Sequence, residues 1–171
     1  MSDSSDSPYR TPTRAVDVEL SITGGRTEEI EVEVTLYLST LSETHAGPET
    51  VEEALNSGRH FLPVRLRETD QTVLVRLGAI RTVTVGDDEG DVLPREESLA
   101  SVDLVRLELD GGETIEGTLQ TVLPPERPRL SDYFNFSKMK FVPLAVDEGV
   151  IYVNRDFISI VRFLATRKGE S

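Results

Sequence analysis

Residues 130–144 read LSDYFNFSKMKFVPL, and a related pattern stands earlier in the chain, where residues 51–64 read VEEALNSGRHFLPV. Each stretch starts with one apolar and two polar residues and continues to an asparagine, Asn56 or Asn135. A short basic linker follows, and each stretch closes on an aromatic-aliphatic-proline-aliphatic tetrad. The repeated pattern indicates an internal duplication in which a short helical turn leads into a strand.

The segments around these two stretches alternate apolar and polar residues. Residues 16–22 read VDVELSI and residues 30–38 read IEVEVTLYL, which is typical of half-buried β-strands. The paired glycines between them, at residues 24–25, predict a hairpin turn. The sequence therefore predicts a fold built mainly from short antiparallel strands.

Three local signals refine this prediction. Thr50 stands three residues before Glu53, the capping-box spacing, and predicts a short helix over residues 51–55. Ser131 is predicted to cap a second short helix over residues 132–134. Pro63 lacks a backbone N–H, so its strand is expected at a sheet edge or with a bulge.

Composition shifts divide the chain into five parts. Residues 1–14, rich in Ser, Asp, Thr and Pro, are predicted to be a disordered arm. Residues 15–85 form the first small β unit, and residues 86–101 form an acidic linker with Gly and Pro. Residues 102–165 form the second small β unit, followed by a tail at residues 166–171.

Composition also limits the classes of function. The 171-residue chain has no Cys, which excludes disulfides, thiolate metal sites and a Cys nucleophile. Its formal net charge of −13 argues against general binding to nucleic acid or anionic membranes. No apolar run has the length of a bilayer-spanning helix, so no membrane association and a cytoplasmic location are expected.

Residue patterns that carry chemistry are scarce. The sequence has no phosphate-binding glycine loop, dinucleotide fingerprint or paired-histidine metal motif, and His45 and His60 are expected to have incidental roles. Ser131 and Asp132 lack a base that would activate the serine. Acidic residues at 87–91 loosely resemble a calcium loop without its remaining ligands, and a solvated linker is preferred. No catalytic, cofactor-binding or metal-binding residue is therefore predicted, and the protein is not expected to be an enzyme.

Two segments resemble a known family. Residues 105–119, VRLELDGGETIEGTL, are similar to the first sequence motif of Sm-like small β-barrels, and residues 150–161, VIYVNRDFISIV, to their second. The pattern LSDYFN…FVPL also resembles an uncharacterised bacterial domain family with this motif, present twice here. The resemblance implies an all-β protein with one short helix per unit, made of two tandem small Sm/SH3-like β-barrels packed as a pseudo-dimer.

The resemblance leaves more than one function open. In Sm-like proteins the second motif carries an Arg-Gly pair that helps to hold RNA, whereas this chain has LGA at residues 77–79 and NRD at residues 154–156. A non-catalytic protein-binding or scaffold module is the preferred interpretation. A nucleic-acid or nucleotide binder of Sm-like ancestry is the alternative, and a small hydrolase is the third.

Aromatic residues are unusually dense between Tyr133 and Phe141. They could all pack between the two units. Alternatively, some of them stay exposed as a contact surface for a protein partner. The residues predicted for that surface are Tyr133, Phe136, Lys138, Met139 and Lys140. Free strand edges could also pair between chains, so homo-oligomerisation is a further expectation.

Overall fold

The structure is a computed structural model that describes residues 13–24, 28–87, 101–121 and 129–168; side chains are not described for Ser101 and residues 166–168. The described residues form a single sheet of ten antiparallel strands and few helices, which confirms the predicted all-β class. The strands are β1 (Thr13–Thr23), β2 (Glu29–Ser39), β3 (Phe61–Leu66), β4 (Thr72–Arg76), β5 (Ile80–Gly86), β6 (Ser101–Leu109), β7 (Thr114–Thr121), β8 (Phe141–Val146), β9 (Gly149–Asn154) and β10 (Ile158–Lys168). The helices are α1 (Val51–Leu55) and α2 (Leu130–Phe136), and 3-10 turns at Leu77–Ala79 and Arg155–Phe157 precede β5 and β10.

The strand order is the same at the two ends of the chain. Residues 13–87, here called the first half, are ordered β5-β1-β2-β3-β4 across the sheet. Residues 101–168, the second half, are ordered β10-β6-β7-β8-β9. The two halves meet where β5 pairs with β9, so that one continuous sheet runs through both.

Alternation of apolar and polar residues explains which face of the paired strands β1 and β2 is buried. Strands β1 and β2 pair along their whole lengths, from Thr13 opposite Ser39 to Thr23 opposite Glu29. The apolar positions Val16, Val18 and Leu20 are buried, because successive residues of a strand point to opposite faces. The predicted alternation is therefore confirmed.

The described residues form two apolar clusters, to which the halves contribute unequally. The second cluster contains only residues of the second half, among them Leu107, Leu119 and Leu144. The first cluster is larger and combines the core of the first half with Phe141, Val150 and Tyr152 of the second half. These three side chains therefore complete the core of the other half.

The two short helices start differently from each other. Thr50 caps α1 as predicted, because its side chain accepts a hydrogen bond from the backbone N–H of Glu53. The predicted cap at Ser131 is wrong, since α2 begins at Leu130, two residues before the predicted start at Asp132, and its N-cap residue is Arg129. Asp132 instead reaches back, and its carboxylate accepts the backbone N–H of Arg129 at 3.3 Å. The first turn of α2 is thus held by a carboxylate rather than by a hydroxyl.

The strand that carries Pro63 is not at an edge of the sheet. β3 lies between β2 and β4, which corrects the edge prediction. Its pairing with β2 covers only three residue pairs and ends where Val64 faces Leu36. Pro63 comes directly outside this short ladder, where a missing N–H removes no ladder hydrogen bond.

Parts of the predicted domain division lie outside the described residues. They are most of the N-terminal arm, at residues 1–12, and most of the acidic linker, at residues 88–100. None of the helices in the described ranges is long and apolar enough to cross a membrane.

Candidate binding surface

The loop between β2 and α1 is folded around one carboxylate. Glu53 of α1 accepts hydrogen bonds from the hydroxyls of Ser42 at 2.7 Å and Thr44 at 3.2 Å, and also contacts the imidazole of His45. A backbone hydrogen bond from Ser42 to Gly47 closes the loop at 2.7 Å. A loop that looks irregular in sequence is therefore held in one shape by the first turn of a helix.

The contact between His45 and Glu53 shifts the pKa of both groups. A hydrogen bond with the carbonyl of Ala46 and another with Glu53 raise the pKa of His45 above its usual value. Burial opposes the charge on Glu53, but the hydrogen bonds from Ser42, His45 and Thr44 outweigh it and lower the pKa of that carboxyl. The pair thus favours an imidazolium facing a carboxylate.

A groove of about 860 Å³ lies between this loop and the second half. Among the described residues its walls carry four carboxylates, from Glu43, Glu49, Glu52 and Glu53, against the guanidinium of Arg59 and the imidazole of His45. Apolar surface comes from Leu41, which is 74% exposed, and from the half-buried Met139 of the second half, whereas Tyr152 borders the groove with its side chain buried. The other lining residues are Ser39, Thr44, Thr50, Asn56 and Ser57.

The groove is braced at one end by Glu49. Its carboxylate accepts the backbone N–H of Ser39 at 2.9 Å and lies 3.8 Å from the guanidinium of Arg59. Its backbone carbonyl accepts a hydrogen bond from Arg14 of β1 at 3.1 Å. The groove is therefore preformed by contacts within the first half.

The predicted partner surface lies on α2 and the segment that follows it. Phe136 is 59% exposed at the end of α2, and Lys138 and Lys140 are exposed after it. Met139 is half-buried and lines the groove. Tyr133 is half-buried as well, and its hydroxyl donates to the sulfur of Met139 at 3.7 Å. Three of the five predicted residues are thus exposed, and the other two connect them to the groove.

Burial also changes the chemistry of Tyr133. Removal from water, with a further contribution from the negative charge of Glu52 and in spite of Arg155, raises the pKa of Tyr133 to about 12. The phenol therefore stays neutral at physiological pH. Its ring packs edge-on against Phe134, with centroids 5.3 Å apart.

Two residues outside the predicted partner surface hold it in place. Asn56 of the first half accepts, through Oδ1, the backbone N–H groups of Lys140 at 2.7 Å and Phe141 at 3.0 Å. Arg155 donates to the carbonyls of Phe134 at 3.3 Å and Ser137 at 2.7 Å. The repeated asparagine was the available signal for the first of these contacts, but a sequence pattern gives no partner 84 residues away.

The remaining candidates from the sequence are not brought together. His45 lines the groove, whereas His60 is exposed and is not part of the lining. Ser131 lies inside α2, where its carbonyl accepts a hydrogen bond from Asn135. Of the acidic linker residues only Asp87 is described, and within the described ranges no group of three or more His, Asp or Glu could hold a metal ion.

Comparisons with protein families, with curated proteins and with solved structures found no match for this chain.

Proposed function

We propose that the protein is a non-catalytic protein-binding module that holds a segment of a partner protein in the groove between its halves. The observation that carries the proposal is the combination of apolar and acidic surface in one preformed groove. Leu41 and Met139 offer apolar contacts, and Phe136 is exposed three residues before Met139. Exposed apolar side chains beside a concave surface are typical of protein-recognition sites.

The charge of the groove selects the chemistry of the segment. Four carboxylates, from Glu43, Glu49, Glu52 and Glu53, line it, while Arg59 supplies an opposing charge near Glu49 and His45 another beside Glu53, so the lining stays acidic. A peptide with an apolar side chain next to a Lys or Arg would bury the apolar group and place the cation near these carboxylates. The partner segment is therefore expected to be apolar and basic.

The architecture behind this proposal is a pair of related small β-barrels of the Sm/SH3-like kind, derived from an internal duplication. Its support is the strand order, which is the same in both halves, and the position of α1 and α2 between the second and third strands of each. The asparagines of the repeated stretch support it further. Asn56 and Asn135 each donate from Nδ2 to the carbonyl four residues earlier, that of Glu52 or Ser131.

A displayed library of random peptides, selected on the purified protein, tests the proposed binding. Enriched peptides are expected to combine an apolar residue with a nearby Lys or Arg. Leu41→Ser, Phe136→Ser and Met139→Ser are each expected to weaken binding of a selected peptide about tenfold, or about 1.4 kcal/mol. Phe61→Ser removes an equally exposed aromatic side chain outside the groove and is the matched control, with no expected effect.

Two outcomes would overturn the proposal. One is a selection without any enriched sequence, or with peptides whose binding is unchanged by the substitutions at Leu41, Phe136 and Met139. The other is tight binding of single-stranded RNA that weakens steeply as salt rises, since that dependence marks contacts to phosphates.

A further inference from the structure

The outermost strands of the sheet are β4 and β10, and the outer edge of each presents different residues. β4 has β3 on one side and β10 has β6 on one side, and neither has a second neighbour among the described strands. In antiparallel ladders the backbone groups of successive residues point alternately to the two sides. The N–H of Leu77 donates at 2.9 Å to the carbonyl of His60, the residue directly before β3, so the backbone of Leu77 points towards β3. Alternation from this bond points the backbone groups of Thr72, Leu74 and Arg76 to the open side of β4.

The chain already contains one junction between such edges, where β9 pairs with β5. Tyr152 of β9 lies opposite Val83 of β5, and both side chains are buried in the first cluster. Phe141, which begins the strand next to β9, is fully buried there too. The junction thus combines backbone pairing with the insertion of two aromatic side chains into the neighbouring core.

The open edge at β4 carries the counterparts of those two side chains. Leu74 lies opposite Pro63, as Tyr152 lies opposite Pro143. Phe61 begins β3 as Phe141 begins β8. Leu74 is 66% exposed and Phe61 is 51% exposed, whereas Tyr152 and Phe141 are buried. The β4 edge therefore exposes the two side chains whose counterparts are buried at the junction of β9 with β5.

The open edge at β10 repeats the geometry of β5. Both strands start with an isoleucine after a 3-10 turn, and in both the register shifts around the next residue. In β5 the fourth residue is Val83, and in β10 it is Val161. The large apolar residues left exposed along β10 are Ile160, Phe163 and Leu164.

A hydrogen bond at the internal junction has a counterpart as well. Asn56, the C-cap residue of α1, accepts the backbone N–H groups of Lys140 and of Phe141, the first residue of β8. Asn135 lies inside α2 and is exposed, and like Asn56 it donates to the carbonyl four residues earlier. If β4 of a second copy paired with β10 in the way that β9 pairs with β5, the start of β3 in that copy would approach Asn135.

We propose that the open edge of β4 pairs antiparallel with the open edge of β10 of a second copy of this chain, with Leu74 opposite Val161. Leu74 and Phe61 then enter the second cluster of the neighbouring copy. This is an interaction between copies, and it goes beyond the binding of a partner segment in the groove. Because the two edges differ, the contact is head-to-tail and repeats to give a closed ring or an open filament.

The mass of the full chain in solution, measured by light scattering or sedimentation over a range of micromolar concentrations, tests the proposal. The wild type is expected to form species of several copies. Leu74→Glu is expected to give the monomer, because it places a charge in the new contact. Leu41→Glu changes another exposed leucine, in the groove, and is expected to leave the assembly intact. A wild type that stays monomeric, or a Leu74→Glu variant that assembles like the wild type, would overturn the proposal.

Crosslinking checks the register without relying on a destabilising variant. The natural chain has no Cys, so two introduced cysteines report only on each other. Leu74→Cys with Val161→Cys is expected to give disulfide-linked multimers under mild oxidation by diamide, since opposed residues lie within disulfide reach. Leu74→Cys with Arg162→Cys shifts the second thiol by one residue to the opposite face and should remain uncrosslinked. Crosslinking through Leu74→Cys alone would instead show β4 pairing with β4 and would reject the head-to-tail contact.

Discussion

The Oδ1 atom of Asn56 accepts the backbone N–H of Phe141 at 3.0 Å, and this contact ties the helix of one half to a strand of the other. The same oxygen accepts the N–H of Lys140. One side chain thus satisfies two backbone donors across the boundary between the halves. Substitution of Asn56 therefore measures how much these two hydrogen bonds contribute to the free energy of unfolding.

Asn56→Ala is expected to lower the free energy of unfolding by about 1–3 kcal/mol, because two N–H groups lose their acceptor. Urea unfolding followed by circular dichroism measures the change. Asn56→Asp retains an acceptor oxygen but loses the Nδ2 bond to Glu52, so it should recover part of the loss. Equal losses in the two variants would show that the crossing bonds contribute nothing.

Two phenylalanines in matching positions are expected to respond differently to truncation. Phe141→Ala should destabilise the monomer by about 3–5 kcal/mol, since it leaves a cavity in the first cluster. Phe61→Ala should change it by no more than about 0.5 kcal/mol, because half of that side chain is already in water. Both are measured by denaturant unfolding in the Leu74→Glu background, which keeps the comparison free of assembly. Similar losses for both would contradict the assignment of the two environments.

A glycine at the junction of the halves admits no side chain. Gly149 has a φ of 143°, and a Cβ placed on it would lie 2.0 Å from the carbonyl oxygen of Val85. Gly149→Ala is therefore expected to cost about 3 kcal/mol or more in unfolding free energy. Gly86 is the control, since it faces Gly149 in the ladder and a Cβ there meets nothing within 4 Å. Gly86→Ala should be nearly neutral, and equal thermal stability of the two variants would contradict the close approach.

The carboxyl of Glu113 should make stability depend on pH. Burial, and then the charge of Glu29, raise its pKa even though Arg81 lies 3.6 Å away. The folded protein thus holds this proton more tightly than the unfolded chain, so the contribution is present at low pH and is lost as pH rises through the folded-state pKa. Glu113→Gln should raise the melting temperature at pH 7.

The gain should shrink as pH falls through about 4.3, the usual pKa of a glutamate, because below it the wild-type group becomes protonated in both states. Melting curves at several pH values measure the difference. Glu116→Gln is the control, since that carboxylate pairs with Arg106 at 3.0 Å on exposed strands and its loss should bring no gain at pH 7. A gain for Glu113→Gln that is the same at every pH would contradict the raised pKa.

Local spacing predicted the strands and the first helix, because those features depend on neighbours a few residues apart. Thr50 and Glu53 form the predicted cap within a single turn. The same reasoning failed at Ser131, since a nearby carboxylate, Asp132, reached the end of the helix and moved its start. Competing caps within three residues are not separable by spacing alone.

The candidate surface was harder to predict, because the stretches at residues 51–64 and 130–144 follow similar patterns in sequence. Nothing in FLPV or FVPL states that Phe141 is buried and Phe61 exposed. The difference arises from the pairing of β5 with β9, which joins residues far apart in the chain. The groove has the same origin, since its walls come from both halves. Periodicity describes one strand at a time and carries no information on such pairings.

The unequal sharing of the two clusters makes the folding of the first half depend on the second half. The second cluster draws only on its own half and can form as soon as that half is complete. The first cluster waits for Phe141, Val150 and Tyr152, which a ribosome adds after the whole first half has been synthesised. The first half thus cannot complete its core from its own residues, and the docking of the β8–β9 hairpin, a contact of large sequence separation, should be slow to form.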